Sequence, residues 1–323
     1  GLLFCDAETR GAHHPAAAGN HVYHILDITG DCVSVLDIDA GSDSLRLQNY
    51  DHAGKLVQEW PLSVNDALTS DGLLALPLDI ADKVFLDAYY SAPGAACVQS
   101  RTLYIHDYDN PQKIAMLSLD TGEEKILEVS LPGTFSLTAM NGFDRASALT
   151  VSPDGAYLYT VMTDRNSTRK AVLIHLPDGE VLELPGTPDA AGTAVFSGQQ
   201  LVYAAEDGLY CTEGTELSDV VYYTGEPALS FAVRDGRLFA VYPDGTLQVY
   251  SQGERIRTVQ LPFGTGAVYS AAAFRWEFTG DRLCLYRDDS LDIISLDSDS
   301  SLPVYSVPGA VLDYDPERKE LLS

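Results

Sequence analysis

Short apolar segments, each preceded by a turn that contains glycine, recur along this chain at intervals close to 40 residues. The clearest are "SPDGAYLYTVMTD", "SGQQLVYAAEDG", "RDGRLFAVYPDG" and "TGDRLCLYRDD", with turn glycines at Gly155, Gly198, Gly236 and Gly280. These glycines are 43, 38 and 44 residues apart. Because no long segment shows helical periodicity, this period is typical of four-stranded β-meander repeats. We therefore predict an all-β chain built from repeated antiparallel sheets.

The predicted strands are apolar on both of their alternating faces. "LVYAA", "YLYTVM" and "LFAVY" show this directly, whereas a strand with one solvated face alternates apolar and polar residues. Each small sheet should therefore pack against another sheet on both sides. Sheets stacked as the blades of a β-propeller satisfy this requirement.

Proline marks the end of each predicted unit. The segments interpreted as outer strands end at Pro61, Pro132, Pro185, Pro227, Pro262 and Pro308. Proline is tolerated at the solvent edge of a sheet, where its missing N–H breaks no ladder bond. The first interval, 71 residues, is long. It leaves two alternatives, an inserted hairpin around "SAPGAACVQSRT" or a degenerate extra blade.

The two chain ends complement each other. "AVLDYDPERKELLS" reads as a strand, a turn and the start of a second strand, and "GLLFCDAETRG" matches the third-strand phrase "GLYCTEGTEL". We therefore predict a single-domain, seven-bladed β-propeller of four-stranded antiparallel blades, whose last blade is closed by both termini. Eight blades are the alternative. The predicted blades cover residues 309–323 with 1–15, 21–62, 72–133, 140–186, 192–226, 227–262 and 268–308.

Three phrases, "VSPDGAYLYTV", "YPDGTLQVYSQGERIRTVQLP" and "LSLDTGEEKILEVSLP", carry a resemblance to known repeats. They resemble the WD40-like and YVTN/lactonase-like β-propeller superfamily, over nearly the whole chain and at the level of the fold. The Gly-His and Trp-Asp dipeptides of WD40 repeats are absent, and the only tryptophans are Trp60 and Trp276. The cysteine pair and repeated tryptophans of quinoprotein propellers are also missing, so we expect no quinone or other cofactor.

The charge of the chain limits its partners. Lys and Arg number 20 against 47 Asp and Glu, a net charge of −27. Such a surface repels phosphate backbones and anionic lipid, so we expect neither nucleic acid nor direct membrane insertion. Five cysteines without a CxxC pair indicate buried thiols and favour a reducing interior. The absence of a starting methionine is compatible with a removed export leader, and we favour the cell envelope, with the cytoplasm as the alternative.

A short acidic segment, "LDIDAGSDS", is a candidate calcium-binding loop. Asp37, Asp39 and Asp43 alternate around Gly41 in a predicted hairpin loop, and this pattern loosely resembles a calcium loop of propeller blades. The segment departs from that loop because Gly41 takes a ligand position and no glutamate closes it. Carboxylates that keep a hairpin tip in water are the alternative interpretation.

No catalytic motif is present, and GxSxG in particular does not occur. We therefore favour a non-catalytic, monomeric binding or scaffold module for protein or peptide partners, within a larger bacterial protein. Two alternatives remain: a lactonase-like hydrolase with a channel-mouth site, with or without a divalent metal, and a purely structural spacer. The inter-blade loops supply the predicted binding residues Phe143, Arg145, Phe263, Tyr269 and Arg275.

Overall fold

The structure is a computed structural model. It describes residues 4–5, 12–13, 21–39, 44–62, 96–106, 112–133, 135, 137, 149–189, 193–212, 220–222, 227–262, 274–287, 290–309, 313–315 and 320–322. Every regular element in these residues is a β-strand, which confirms the all-β prediction. The chain divides into two compact units, Gly1–Pro185 and Gly186–Ser323.

The first unit contains one short ladder and three four-stranded antiparallel meanders, in which consecutive strands pair. The ladder joins β1 (Phe4–Cys5) to β2 (Ala12–His13). Sheet 1 consists of β3 (His21–Ile28), β4 (Val33–Asp39), β5 (Ser44–Tyr50) and β6 (Leu56–Leu62). Sheet 2 consists of β7 (Ala96–Gln99), β8 (Thr102–His106), β9 (Lys113–Ser118) and β10 (Glu124–Glu128). Sheet 3 consists of β11 (Leu149–Val151), β12 (Tyr157–Thr163), β13 (Arg169–His175) and β14 (Glu180–Glu183).

The second unit repeats this organisation with three further meanders and a final ladder. Sheet 4 consists of β15 (Ala194–Ser197), β16 (Gln200–Ala205), β17 (Gly208–Thr212) and β18 (Val220–Tyr222). Sheet 5 consists of β19 (Ser230–Arg234), β20 (Arg237–Val241), β21 (Thr246–Ser251) and β22 (Glu254–Gln260). Sheet 6 consists of β23 (Arg275–Thr279), β24 (Arg282–Arg287), β25 (Ser290–Ser295) and β26 (Tyr305–Pro308). The ladder joins β27 (Asp313–Asp315) to β28 (Glu320–Leu322).

These six meanders confirm the predicted four-stranded antiparallel unit. The "SAPGAACVQSRT" segment contributes residues 96–102 to β7, its turn and the start of β8, whereas its residues 91–95 lie outside the described residues. The number of blades and the blade shared by the two chain ends stay predictions.

Central strands are buried on both faces, as the sequence predicts. β12, β16, β20 and β24 contain runs of four or five consecutive buried residues. Their side chains form apolar layers between neighbouring sheets of one unit: sheets 2 and 3 share one layer, sheets 4 and 5 a second, and sheets 5 and 6 a third. This burial on two sides distinguishes the sheets from those of a two-layer sandwich.

The predicted punctuation also lies where the sequence places it. Gly155, Gly198, Gly236 and Gly280 all have positive φ and lie in the turns that join the first two strands of sheets 3 to 6. Pro61 and Pro308 lie in fourth strands, and the other four prolines follow a fourth strand by two to five residues. Turn glycines and edge prolines therefore define the repeat.

Arg101 joins sheet 2 to sheet 1. It belongs to the two-residue loop between β7 and β8, and its guanidinium donates four hydrogen bonds: to Asp27 Oδ2 (3.0 Å), Ser34 Oγ (2.8 Å), Asp120 Oδ1 (3.0 Å) and Leu119 O (3.4 Å). Asp27 and Ser34 belong to sheet 1. Both loop residues have positive φ, 50° for Ser100 and 59° for Arg101. Such a loop normally contains Gly, Asn or Asp. The arginine at this position therefore strains the backbone, and its side-chain contacts between sheets 1 and 2 compensate for that strain.

Replacing Arg101 with alanine is expected to lower the free energy of unfolding by about 1–3 kcal/mol, since two carboxylates and a hydroxyl lose a charged donor. Arg101→Gly removes the same contacts but tolerates the left-handed backbone, so it should be more stable than the alanine variant by about 1 kcal/mol. Urea denaturation of both variants measures the difference. Equal stability of the two variants would contradict a strained loop.

Candidate binding surface

The fourth strand forms an edge of each sheet, and most of these edges carry charge. β6 (LVQEWPL), β10 (EKILE), β14 (EVLE) and β22 (ERIRTVQ) each contain glutamate, whereas β18 (VVY) contains no charged residue. An edge strand presents unpaired N–H and C=O groups, and charged side chains discourage its pairing with another chain. Four of the six edges are therefore protected by charge.

The fourth strand of sheet 6 lacks this protection. Residues 302–308, which we call the edge segment, read LPVYSVP and contain no charged residue. Leu302, Val304 and Tyr305 are 59%, 60% and 56% exposed. Single exposed apolar residues are ordinary on protein surfaces, but here three of four consecutive positions are apolar and more than half exposed, and we call these three residues the apolar patch. A concentration of exposed apolar surface is typical of an interaction site.

Hydrogen bonds hold the chain that leads into the edge segment. Arg257, on the fourth strand of sheet 5, donates from Nη1 to Ser295 O (2.6 Å) and from Nη2 to Ser300 O (2.7 Å). The Gln260 N–H donates to Ser301 O (2.8 Å). Burial lowers the pKa of the Arg257 guanidinium, which is consistent with its position among carbonyl oxygens. The apolar residues therefore follow directly on a loop that sheet 5 holds in place.

The edge segment is also tied to a buried ion pair. The Ser306 hydroxyl donates to Asp292 Oδ1 (2.6 Å), and Arg287 donates to Asp292 Oδ2 through Nη2 (2.7 Å) and Nε (3.1 Å). Both charged side chains are 0% exposed. The ion pair therefore links three consecutive strands of sheet 6, from β24 to β26.

The sequence on both sides of the edge segment is acidic. Between Arg287 and Arg318 the sequence contains eight Asp and Glu residues and no Lys or Arg. Asp297 and Asp299 are exposed in the loop that precedes the segment. Arg257 offsets part of this charge, since Asp299 acts on its guanidinium. The surroundings of the apolar patch are nevertheless acidic.

The residues of the predicted calcium loop lie in different settings. Asp37 belongs to strand β4, where it is 2% exposed, and its Oδ1 accepts a hydrogen bond from Nδ1 of His21 (2.8 Å). Asp39 is the last residue of β4, and Asp43 lies outside the described residues. In the part of the chain that the structure describes, no three His, Cys, Asp or Glu residues form a cluster that could hold a metal. Calcium binding stays a prediction.

Sequence reasoning did not identify the pair of His21 and Asp37. The imidazole of His21 also stacks on Tyr23, with ring centroids 5.8 Å apart. Sixteen residues separate the histidine from the aspartate, and only the pairing of β3 with β4 brings them together. A sequence signal for this contact would require the register of these two strands.

Arg275 is the one predicted binding residue within the described ranges. It is exposed at the start of β23, and its guanidinium carbon lies 3.8 Å from the ring centroid of Tyr286. The Tyr286 hydroxyl donates to Glu277 Oε2 (2.9 Å), and burial together with this hydrogen bond raises the pKa of Tyr286. The other four predicted residues, Phe143, Arg145, Phe263 and Tyr269, lie outside the described residues.

The comparisons with known proteins bear on the fold alone. No family model and no curated protein matches the chain. The structure is similar to Hsv2 of Kluyveromyces lactis, with 9% identity and a TM-score of 0.52 over 94% of this chain and 98% of that chain. For Hsv2 of Kluyveromyces marxianus the identity is 9% and the TM-score 0.50, over 89% and 80%. The fold is a β-propeller.

Both neighbours are WD40-type β-propeller proteins, which confirms the predicted resemblance at the level of the fold. In a propeller blade the fourth strand is the outermost, so the edge segment belongs to the outer side of its blade. Among the described residues of this propeller, no helix is long and apolar enough to cross a membrane.

Proposed function

We propose that this propeller is a non-catalytic binding and scaffold module that holds a protein or peptide partner on the edge segment of sheet 6. The observation that carries the proposal is the combination of Leu302, Val304 and Tyr305, all more than half exposed, in an edge segment without charge. Apolar surface that is ordered before binding costs little entropy when a partner covers it. The segment therefore has the chemistry of an interface core.

Three arginine contacts have structural roles, as we expect of a binding module. Arg257 holds a loop, Arg287 neutralises Asp292, and Arg101 joins two sheets. Each of these guanidinium groups is engaged by groups of its own chain. These arginines stabilise the fold, and we expect the exposed apolar residues to contact the partner.

The alternative, a propeller hydrolase, has one specific observation in its favour. In the pair of His21 and Asp37 a buried carboxylate orients an imidazole that is 24% exposed. This is the relation between base and orienting carboxylate found in many hydrolases. A nucleophile and an oxyanion site would have to be added to it before acyl transfer could follow. The hydrolase stays a prediction.

A photo-crosslinking residue at position 304 tests the proposed function. The purified chain would be irradiated in the soluble extract of its source cells, and the adducts would be identified by mass spectrometry. The identified protein is then purified, and its affinity is measured by calorimetry for the wild type, Val304→Asp and Leu182→Asp. Leu182 is the matched control, because it is a 42% exposed apolar residue on another fourth strand, β14.

We expect saturable binding to the wild type, at least about tenfold weaker binding to Val304→Asp, and no more than a twofold change for Leu182→Asp. A buried charge in an apolar interface readily costs a factor of ten. Equal loss in both variants would overturn the assignment of the site. The absence of any adduct that binds saturably after purification would overturn the proposed function itself.

A further inference from the structure

The backbone of the edge segment offers a second means of recognition besides its side chains. In the described strand order β26 is hydrogen-bonded to one strand only, β25. The opposite side of such a strand presents N–H and C=O groups to which an extended peptide can add. Strand addition gives affinity through main-chain hydrogen bonds and specificity through alternate side chains.

We propose that the partner contributes an extended, cationic segment that pairs with β26 as a fifth strand of sheet 6. The inference rests on the proposed function and adds the class of partner. Apolar side chains of the partner's segment cover Leu302, Val304 and Tyr305. Lys or Arg side chains of the partner, placed between its apolar residues, face the acidic surroundings of the edge segment.

The length of β26 sets the length of the pairing. Tyr305–Pro308 comprises four residues, which corresponds to about 13 Å of extended chain. Pro308 has no N–H and therefore ends the ladder. Pro303 precedes the strand, and Leu302 and Val304 extend the apolar contact on that side. A partner segment of roughly six to eight residues covers both parts.

The charge of the partner follows from Asp297 and Asp299. Both are exposed in the loop that enters the edge segment, and no Lys or Arg lies between positions 287 and 318. The net charge of the whole chain, −27, attracts the same class of partner over longer distances.

The same charges argue against a second copy of this chain as the occupant. A symmetric contact would bring Asp297 and Asp299 of both copies to one interface, between two molecules that each carry −27. Like charges placed opposite each other at an interface disfavour association. A foreign cationic segment meets no such repulsion.

Defined peptides test the inference without knowledge of the natural partner. A fluorescently labelled peptide of alternating Lys and Val, about eight residues long, would be titrated with the full chain and followed by anisotropy. Three comparison peptides are used: one with Glu in place of Lys, one N-methylated at alternate residues along one edge, and one N-methylated along the other edge. The protein variants are Val304→Asp, Asp297→Asn with Asp299→Asn, and the control Leu182→Asp.

We expect saturable binding of the Lys peptide and at least about tenfold weaker binding of the Glu peptide. One N-methylated peptide should also bind at least about tenfold more weakly, because it loses the main-chain hydrogen bonds to β26. The double Asn variant should weaken binding about threefold and reduce its salt dependence. Val304→Asp should abolish binding, and Leu182→Asp should leave it unchanged.

Several outcomes would overturn the inference. Equal binding of both N-methylated peptides and the parent would exclude strand addition, and equal binding of the Glu peptide would exclude a cationic partner. Light scattering that shows a dimer of the wild type, lost in Val304→Asp, would make a second copy the occupant. If a purified natural partner binds the edge segment while the Lys peptide does not, the proposed function stands and this inference fails.

Discussion

Replacing Arg287 with methionine is expected to lower the free energy of unfolding by about 3–5 kcal/mol, because the Asp292 carboxylate is then buried without its cation. Both side chains are 0% exposed, and two hydrogen bonds of 2.7 and 3.1 Å join them. Methionine fills a similar volume, so the loss reports the unpaired charge more than a cavity. Urea denaturation with linear extrapolation measures the difference.

A second substitution separates the charge from the packing. Asp292→Asn, introduced into the methionine variant, removes the unpaired charge and keeps an oxygen that can accept from the Ser306 hydroxyl. The double variant should recover most of the lost stability, since replacing both members of a buried pair is often nearly neutral. The explanation is wrong if the single variant loses less than about 1 kcal/mol, or if the double variant is no more stable than the single one.

The turns and strand faces of the propeller were predictable from short stretches of sequence. Gly155, Gly198, Gly236 and Gly280 predicted the hairpin turns because a left-handed backbone conformation is a property of single residues. The strand faces were predictable for a similar reason, because alternation along a strand is also local. Punctuation and periodicity together predicted the repeated four-stranded unit and the propeller fold.

A second repeat signal was present and was missed. β5 contains "LQNY" and β21 contains "LQVY". In both, the tyrosine hydroxyl donates to the glutamine Oε1 two residues earlier at 2.7 Å, from Tyr50 to Gln48 and from Tyr250 to Gln248. The two phrases occupy the same place, on the third strand of a sheet. An internal comparison of the sequence at larger spacings would have found them.

Side-chain contacts between strands could not be predicted from the sequence. Asp37 was interpreted as a loop ligand because its neighbours are acidic, yet it lies in β4 and pairs with His21 on the adjacent strand. Arg287 stands in the polar stretch "RDDSLD", yet its guanidinium is fully buried, where it donates to Asp292 Oδ2 and to the carbonyl oxygen of Pro262, which follows the fourth strand of sheet 5. Burial of a charge depends on register and on the next sheet, and neither is a local property.

For the candidate site, too, local features were predictable from the sequence, whereas features that depend on packing were not. Pro308 correctly marked a fourth strand, because proline is tolerated at the solvent edge of a sheet. The absence of charge in LPVYSVP was visible in the sequence and distinguishes this edge from those of β6, β10, β14 and β22. The exposure of Leu302, Val304 and Tyr305 was not visible, because identical residues in a central strand would be core.

Replacing Gly122 with alanine is expected to lower the free energy of unfolding by about 2–5 kcal/mol, the sum of backbone strain and a steric clash. Gly122 lies in the turn between β9 and β10 with φ of 69°. A Cβ atom there would lie 2.5 Å from Trp60 Cγ and 2.8 Å from Trp60 Cβ, on the fourth strand of sheet 1. These atoms are the near part of the indole side chain, so a change of rotamer cannot move all of them away. The turn of sheet 2 and the edge of sheet 1 would have to separate.

Gly236→Ala is the matched control for this prediction. Its φ of 70° imposes the same backbone strain, and no atom lies within 4 Å of its added Cβ. The control should therefore lose only about 1–2 kcal/mol, and the difference between the two variants measures the contact between sheets 1 and 2. Trp60 fluorescence, recorded with Trp276 replaced by phenylalanine, should shift in Gly122→Ala and stay constant in Gly236→Ala. Equal losses of stability, with no change in that fluorescence, would show that the turn tolerates a side chain and that the close approach of Trp60 does not limit the packing of these two sheets.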